Sequence, residues 1–423
     1  MAWCSTAMSA RAISAATASV PSRHTRPACS ITGWKREPSM RIGIEATALH
    51  GVRSGVGTYT LNLLWHLWQS PAGSCHEWLL FSNRPLTLNG YDPGDRARVV
   101  GNYQFRYQSL WRQALLPFAL HAYRPAVCHF TNLMAPLWAP CPMVVTIHDL
   151  TLKLMPHYHP VRRRTVMGPL LAPSARQAAR IIAVSETSKR DIVAFLGVAD
   201  EKISVIYEAA GPAFRPRPAA EVAQVLGRLS LDQPYILYVG TIEPRKNLVR
   251  LVRAFAHLRA EGRCERLVLA GALGWDYAPL FAEIERLGLG DAVIHLGFVP
   301  QDELVVLYNG AAVFVFPSLY EGFGLPPLEA MACGTPVITS TTSACAELAT
   351  DAALLVDPTD ELAIAEALRQ VLTDSDLAAD LRQRGLARVA AFSWEQTAEQ
   401  TLAVYEAAAG GDPTGTRDQR MKG

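Results

Sequence analysis

Missing from this sequence is any Cys-x-x-Cys pair: its eight cysteines (Cys4, Cys29, Cys75, Cys128, Cys141, Cys264, Cys333 and Cys345) are scattered, several within apolar runs. That spacing excludes a disulfide framework and a cysteine zinc site, and it suits reduced, buried thiols in a cytoplasmic protein. Also missing is an apolar stretch long and clean enough to cross a bilayer. The longest, residues 304–320, is broken by Asn309 and Gly310 and contains Pro317. Charged residues are few, 18%, against 50% hydrophobic ones, which excludes a disordered chain and points to well-buried α/β structure. Acid is scarcest between Arg96 and Ser185, where Asp149 stands alone against eleven Lys/Arg.

At 423 residues the chain suits two domains, with a cleft between them as the expected site. The net charge of +2 conceals an asymmetry: residues 1–219 hold 24 Lys/Arg against 11 Asp/Glu, and residues 220–409 hold 13 against 25. An anionic partner for the basic half is one reading; a solvated basic face is the other. Residues 1–39 are rich in Ala, Ser and Arg, with Glu37 the only acid and no continuous apolar core of a signal peptide. We expect a disordered or misassigned extension there, with a transit peptide as the alternative, because a strand-like run opens directly after Met40.

Short Val/Ile/Leu runs alternate with helical patterns. They cover residues 42–46, 78–81, 127–130, 143–147 and 181–184, then 235–239, 267–270, 293–296, 313–316 and 337–339, with a further strand near Ile206. This rhythm predicts parallel sheets covered by helices on both faces. The Pro-rich run Gly211-Pro-Ala-Phe-Arg-Pro-Arg-Pro218 interrupts the series as a linker would, so two Rossmann-like, doubly wound domains are expected. After Asn247, a natural N-cap, Leu248, Leu251, Val252, Phe255 and Leu258 fall on one helical face.

Chemistry is carried first by Tyr320-Glu-Gly-Phe-Gly-Leu-Pro-Pro-Leu-Glu-Ala-Met-Ala-Cys-Gly-Thr-Pro336, between two strand-like runs. Gly322 and Gly324 permit close backbone approach to a ligand, and Pro326 and Pro327 suit a first helical turn. The amides around Gly322, Phe323, Gly324 and Leu325, with the helix dipole, would receive a diphosphate. Glu321 precedes the helix and Glu329 lies on it, so one carboxylate can face a sugar while the other grips a ribose diol. In Val239-Gly-Thr-Ile-Glu-Pro-Arg-Lys-Asn247, Arg245 and Lys246 offer a fork and a point charge to phosphate oxygens, which neutralises a diphosphate without a metal. In the first half, Gly55 and Gly57 open a helical run after the first strand but lack the third glycine of a dinucleotide fingerprint. Val144-Val-Thr-Ile-His-Asp-Leu150 sets His148 and Asp149 just past a strand end. His157-Tyr-His159, between Pro156 and Pro160, reads as structural, and Asp374-Ser-Asp376 reads as a helix N-cap rather than a metal motif.

From Met40 to about Ala409 the chain resembles the family 4 glycosyltransferases (glycosyl transferases group 1), in particular an Glu-Pro-Arg-Lys-Asn mannosyltransferase-like subgroup. Glu321 and Glu329 match the family's Glu-x7-Glu motif, His148 its active-site histidine, Lys246 its diphosphate lysine, and Gly55 and Gly57 its Gly-rich loop. Thr241 stands where many members carry Arg, so Arg245 is expected to supply the guanidinium, and Glu208-Ala209 replaces a common Asn-Gly. The resemblance implies the GT-B fold, with a first domain over residues 40–211, a donor domain over 212–391, a helix at 392–409 crossing back to the first domain, and a tail at 410–423. It implies a retaining transfer from a nucleotide-diphosphate sugar, with no metal and no other cofactor. His148 and Glu321 would act at the transferred sugar, and Arg245, Lys246, Gly322, Phe323, Gly324, Leu325, Glu329, Gly55 and Gly57 would hold the donor.

GDP-mannose is the first expectation for the donor; UDP-glucose and dTDP-rhamnose remain open, and a nucleotide-sugar epimerase on the same fold is the rival class. A nicotinamide-dependent dehydrogenase fits less well, because the turn of residues 54–59 is a poor fingerprint. The expected acceptor is a glycan or a polyprenyl-diphosphate-linked oligosaccharide. Arg162, Arg163 and Arg164, with Phe105, Tyr107, Trp111 and Phe118 interleaved around Arg106 and Arg112, suggest docking on the inner face of an anionic membrane. The competing view makes these aromatics core residues of a long helix.

Overall fold

The computed structural model describes residues 40–51, 55–86, 88, 97–101, 105 and 107–410. The first sheet holds β1 (Arg41–Glu45), β2 (Glu77–Ser82), β3 (Ala97–Gly101), β4 (Val127–Phe130), β5 (Met143–Ile147), β6 (Arg180–Ala183) and β7 (Ile203–Val205) in the order β3-β2-β1-β4-β5-β6-β7. The second holds β8 (Tyr235–Val239), β9 (Arg266–Ala270), β10 (Val293–Gly297), β11 (Val313–Phe316), β12 (Val337–Ser340) and β13 (Leu354–Val356) in the order β10-β9-β8-β11-β12-β13. All pairings are parallel. The order reverses between β1 and β4 and between β8 and β11, so each sheet has a switch point at its carboxyl edge, where such sheets take ligands. Central strands such as β8 and β11 are buried along their whole length, as their unbroken apolar sequence requires of a sheet covered on both faces.

The expected α/β plan of two Rossmann-like domains is therefore present. The series of ten runs omits β3, β7 and β13, the last being three residues long like β7, although a strand near Ile206 is expected and β7 ends at Val205. All three are edge strands. An edge needs fewer apolar residues: β3 is half-buried or exposed throughout, so its sequence carries little pattern.

The expected apolar face of the Leu248–Ala260 helix is buried, with Leu248, Leu251, Val252, Phe255 and Leu258 each at most 3% exposed. Each such side chain contributes about 1.5–3 kcal/mol. Asn247 occupies the N-cap, but its side chain does not cap the helix. It has a φ of 63°, and its amide donates to the carbonyls of Pro317 (3.0 Å) and Pro358 (2.5 Å), tying the turns after β11 and β13 to the turn after β8. Asp374 does cap, accepting from the amides of Asp376 and Leu377. Of the described cysteines all are free; Cys128, Cys333 and Cys345 are buried as expected, Cys141 is half-buried, and Cys75 and Cys264 are exposed.

The helix Trp394–Gly410 packs on the helix Gly55–Gln69 and shares its core with β1, β2 and β4. Its Tyr405 hydroxyl lies 2.7 Å from His129 Nδ1 on β4, His129 Nε2 lies 2.7 Å from the Thr146 hydroxyl, and Tyr59 lies 3.1 Å from the same hydroxyl. Burial pushes His129 down to about 3, so this chain of polar groups is uncharged inside the core. Expectations about residues 1–39, Ser54, Arg106 and residues 411–423 fall outside the described residues.

Candidate active site

At the switch point of the second sheet, the turn after β8 tightens into one 3-10 turn, Pro244–Lys246, which presents two buried cations. Arg245 Nη1 donates to the Tyr320 carbonyl (2.6 Å) and lies 3.0 Å from Glu321 Oε2, while Nη2 donates to Glu243 Oε1 (2.7 Å). Lys246 Nζ donates to Glu321 Oε1 at 2.6 Å and sits 5.0 Å above the Phe316 ring. Burial would raise the Glu321 carboxyl, but Arg245 and Lys246 outweigh it and hold the group down at about 2. Arg245 shows the reciprocal effect: burial opposes its charge, and Glu321, Asp149 and Glu243 overcome that opposition. Asp149, from the first domain, is likewise lowered against burial by Arg245 and by the Thr151 hydroxyl and amide, which donate to its Oδ1 at 2.6 and 2.9 Å. Two cations thus face three carboxylates, and the buried Arg245 Nε has no partner. An anionic ligand would compete with built-in counter-ions.

The second segment enters through Gly324, whose φ of 118° lies where glycine is favoured, and continues as the Leu325–Ala332 helix. Pro326 and Pro327 occupy the first turn as expected. They lack N–H groups, so the amides left to face a ligand there are those of Phe323, Gly324 and Leu325. Glu329 is buried on this helix and accepts from the Tyr308 hydroxyl at 2.9 Å. Burial pushes it up to about 7; Tyr308 works against the shift and Glu208 adds to it.

On the first sheet, His148 follows β5 and is edge-on to Tyr59, with ring centroids 4.8 Å apart. Its Nε2 lies 3.0 Å from the Thr131 carbonyl and its Nδ1 2.9 Å from Glu208 Oε1. Burial would lower its pKa, but the Glu208 hydrogen bond and charge, the Thr131 carbonyl and Asp149 together raise it. Glu208, noted in the sequence only as a departure from Asn, is 3% exposed.

The two edges meet along a seam. A Cβ on Gly322 would lie 1.6 Å from the His148 carbonyl oxygen, so no larger residue fits that backbone approach. The Gly322 carbonyl accepts from the hydroxyls of Ser185 (2.7 Å) and Ser188 (3.1 Å), both of the first domain. Glu347, on the helix Ser343–Ala349 of the second domain, reaches over to the helix Glu186–Leu196 of the first. It accepts from the amides of Glu186 (2.8 Å) and Thr187 (2.9 Å), the Thr187 hydroxyl (2.8 Å) and the Tyr207 hydroxyl (3.0 Å). Tyr320 is hydrogen-bonded to Asp191, and the Trp275 indole donates to the Tyr158 carbonyl at 2.6 Å beside His159.

Arg245, Lys246, Glu321, Gly322 and His148 thus converge on one seam. Phe323 instead turns its ring into the core shared with Leu328, Leu348 and Phe392, leaving only its backbone for a ligand. Glu329 lies deeper, on Tyr308. Gly55 and Gly57 begin the helix that carries Tyr59 to His148. Ser185, Ser188, Trp275 and Glu347 were not singled out in the sequence.

Residues 227–388 match the glycosyl transferases group 1 family and residues 53–210 glycosyltransferase family 4. O-antigen chain mannosyltransferase B of Escherichia coli is 37% identical over 291 residues, 68% of this chain and 76% of that protein. Serotype-specific mannosyltransferase WbdA of Escherichia coli is 33% identical over 231 residues, 53% of this chain but only 28% of that protein. Sucrose-phosphate synthase from Thermosynechococcus elongatus superposes with a TM-score of 0.71, over 87% of this chain and 98% of that one, at 24% identity. The two doubly wound sheets, with a charged seam between their carboxyl edges, have the GT-B fold, and the two family matches make the chain a glycosyltransferase. Within that class the chain belongs to the family 4 glycosyltransferases, group 1.

Proposed function

We propose that the chain is a retaining, metal-independent transferase that moves mannose from GDP-mannose to a glycan or a polyprenyl-diphosphate-linked oligosaccharide in surface-polysaccharide assembly. The observation that carries this reading is the cluster of Arg245, Lys246 and Glu321 at the second switch point with His148 across the seam. Similarity to an O-antigen mannosyltransferase supports the sugar and the setting. In this reading Arg245 and Lys246 exchange carboxylate partners for diphosphate oxygens, helped by the amides of Gly322, Phe323, Gly324 and Leu325, and stabilise the charge that develops on the leaving group. Gly55 and Gly57 approach the donor from the first domain, Glu329 grips the ribose hydroxyls, Glu321 binds the sugar hydroxyls, and His148 lies beside the sugar. The acceptor hydroxyl attacks the anomeric carbon from the face the diphosphate leaves. The bond from that carbon to the phosphate oxygen breaks, and this oxygen takes the acceptor's proton.

A panel of GDP-mannose, UDP-glucose and dTDP-rhamnose, assayed for hydrolysis and transfer before and after exhaustive EDTA treatment, tests the proposal. Turnover of GDP-mannose, undiminished by EDTA, is expected. Loss restored by magnesium or manganese would show the metal-free diphosphate site to be wrong, and epimerisation without acceptor would favour the isomerase.

We further propose that the first domain docks reversibly on an anionic bilayer, where a lipid-linked acceptor would be met. Tyr107, Leu110, Phe118 and Val161 are 61%, 54%, 73% and 63% exposed, and Arg162 and Arg163 are exposed on the helix Val161–Met167. The surface differs from the expected one. Trp111 is buried, and Arg112 is buried with Glu45, 3.1 Å away, so neither faces a membrane. Cations near an anionic surface contribute about 1 kcal/mol each. Sedimentation with anionic vesicles at low salt should be lost when Arg162, Arg163 and Arg164 become Glu; wild-type protein that stays in the supernatant would exclude membrane docking. Among the described residues no helix is long and apolar enough to cross a membrane.

A further inference from the structure

We propose that Glu208 is a positioning residue for the transfer: with the Thr131 carbonyl it holds the His148 ring in one orientation with both nitrogens protonated, so that His148 brings a fixed positive charge to the seam rather than a proton to exchange. The inference rests on His148 belonging to the transfer site. A carbonyl oxygen only accepts, so the 3.0 Å contact to Thr131 requires a hydrogen on Nε2. The 2.9 Å contact between Nδ1 and Glu208 Oε1 requires one more proton between them. Among the described residues Glu208 has no lysine or arginine within salt-bridge distance; His148 is its ion-pair partner. We place that proton on Nδ1, because the Glu208 contact, the Thr131 carbonyl and Asp149 all favour the charged ring over burial.

The other groups around the ring leave this pairing intact. Tyr59 contributes an aromatic edge, and its hydroxyl is engaged with Thr146. His129 is neutral in the core, and Asp149, next in the chain, adds negative charge on the His148 side while facing Arg245 on the other. From the second domain, Gly322 meets the His148 backbone, and Glu329 is the carboxyl that senses Glu208. With both N–H groups committed, His148 neither takes a proton from an acceptor nor gives one up without breaking a buried contact. This agrees with a transfer in which the leaving phosphate collects the proton.

Glu208→Gln separates charge from shape, because the amide can turn its NH2 toward Nδ1 and hold a neutral ring in the same place. In histidine-labelled full-length protein, with His148→Ala used to find the resonance among the eleven histidines, wild-type His148 should carry two protons at neutral pH and Glu208→Gln should carry one, on Nε2. The alkaline limb of kcat/KM should move to lower pH in Glu208→Gln. Because the ring stays in place and only its charge is lost, at pH 8 kcat should fall by on the order of 100-fold with donor KM little changed, and Glu208→Asp should restore part of it. An unchanged His148 titration in Glu208→Gln overturns the positioning role. A shifted titration with an unchanged pH profile places the pair outside the transfer and overturns the reading of His148 itself.

Discussion

The two sheets share a strand order, apart from the extra β7 of the first, and both carry charge at the carboxyl edge, after β8 in the second and after β5, one strand from the switch, in the first; yet the charge differs in kind. On the second sheet it resides on Arg245 and Lys246, residue types that keep their charge across physiological pH. On the first it resides on His148, whose charge depends on Glu208. The contrast recurs within one motif. Burial acts to raise both Glu321 and Glu329, but Arg245 and Lys246 bring Glu321 down to about 2, whereas Glu329, near Glu208, stands at about 7. Depth alone therefore does not set the state of a carboxyl here; the distance to a guanidinium or ammonium does.

The largest effect expected on this contrast comes from Lys246→Ala, which removes one of the permanent charges. It should lower kcat/KM by about 100- to 1000-fold, with a thermal melt confirming that the chain is folded. A folded variant with near wild-type turnover would remove Lys246 from the donor site.

Glu329→Gln removes the conditional carboxyl of the second domain. A carboxyl raised from 4.5 to about 7 in the folded state stabilises the protein below pH 4.5 and loses that contribution as pH rises through about 7. Between pH 4.5 and 8 the loss amounts to on the order of 3 kcal/mol. Denaturant unfolding at pH 5 and pH 8 should therefore show a smaller fall for Glu329→Gln than for wild type; equal falls would mean that Glu329 titrates normally. Glu321 has the opposite sign: its contribution is present above pH 4.5 and is lost as pH falls toward 2.

Gly322→Ala tests whether the two edges must touch. The added methyl meets the His148 carbonyl, so the seam must open, and a displacement near 1 Å costs on the order of 100-fold in kcat/KM. Wild-type rates in this variant would show that the contact is dispensable. The smallest effect is expected from Glu347→Ala, which leaves the Ser185 cap of the Glu186–Leu196 helix in place but removes the acceptor of its first two amides across the seam. Losing acceptors for two first-turn amides costs about 1 kcal/mol, so donor KM should rise roughly fivefold with kcat preserved. An unchanged KM would mean that Glu347 stabilises only its own surroundings.

The fold was legible where strands are central, because a strand covered on both faces is nearly continuous in apolar residues, with exceptions such as His129 and Thr146 that pair with each other. It was obscure at β3 and β13, where one neighbour is missing and the requirement lapses. The site was legible where chemistry is adjacent in sequence: Arg245 beside Lys246, and Glu321 eight residues from Glu329. Glu208 could be seen only as an odd residue, since its partner lies 60 positions away, and Glu347 meets residues about 160 positions away with no local signature. Arg112 was misjudged for a related reason. It lies on the π-helical segment Trp111–Leu115, where helical spacing does not assign faces, and its counter-charge is Glu45 on β1.

The helix Trp394–Gly410 bears on the order in which the protein is made. It brings Trp394, Leu402 and Tyr405 to the core of the first domain, and Tyr405 completes the polar line through His129 and Thr146 to Tyr59. A ribosome delivers this helix only after both sheets have emerged. The first domain therefore waits through the synthesis of the whole second sheet with an apolar face and His129 uncovered, a closure of very long sequence separation. The domain translated first is completed last, and during that interval it presents the kind of surface that chaperones shield.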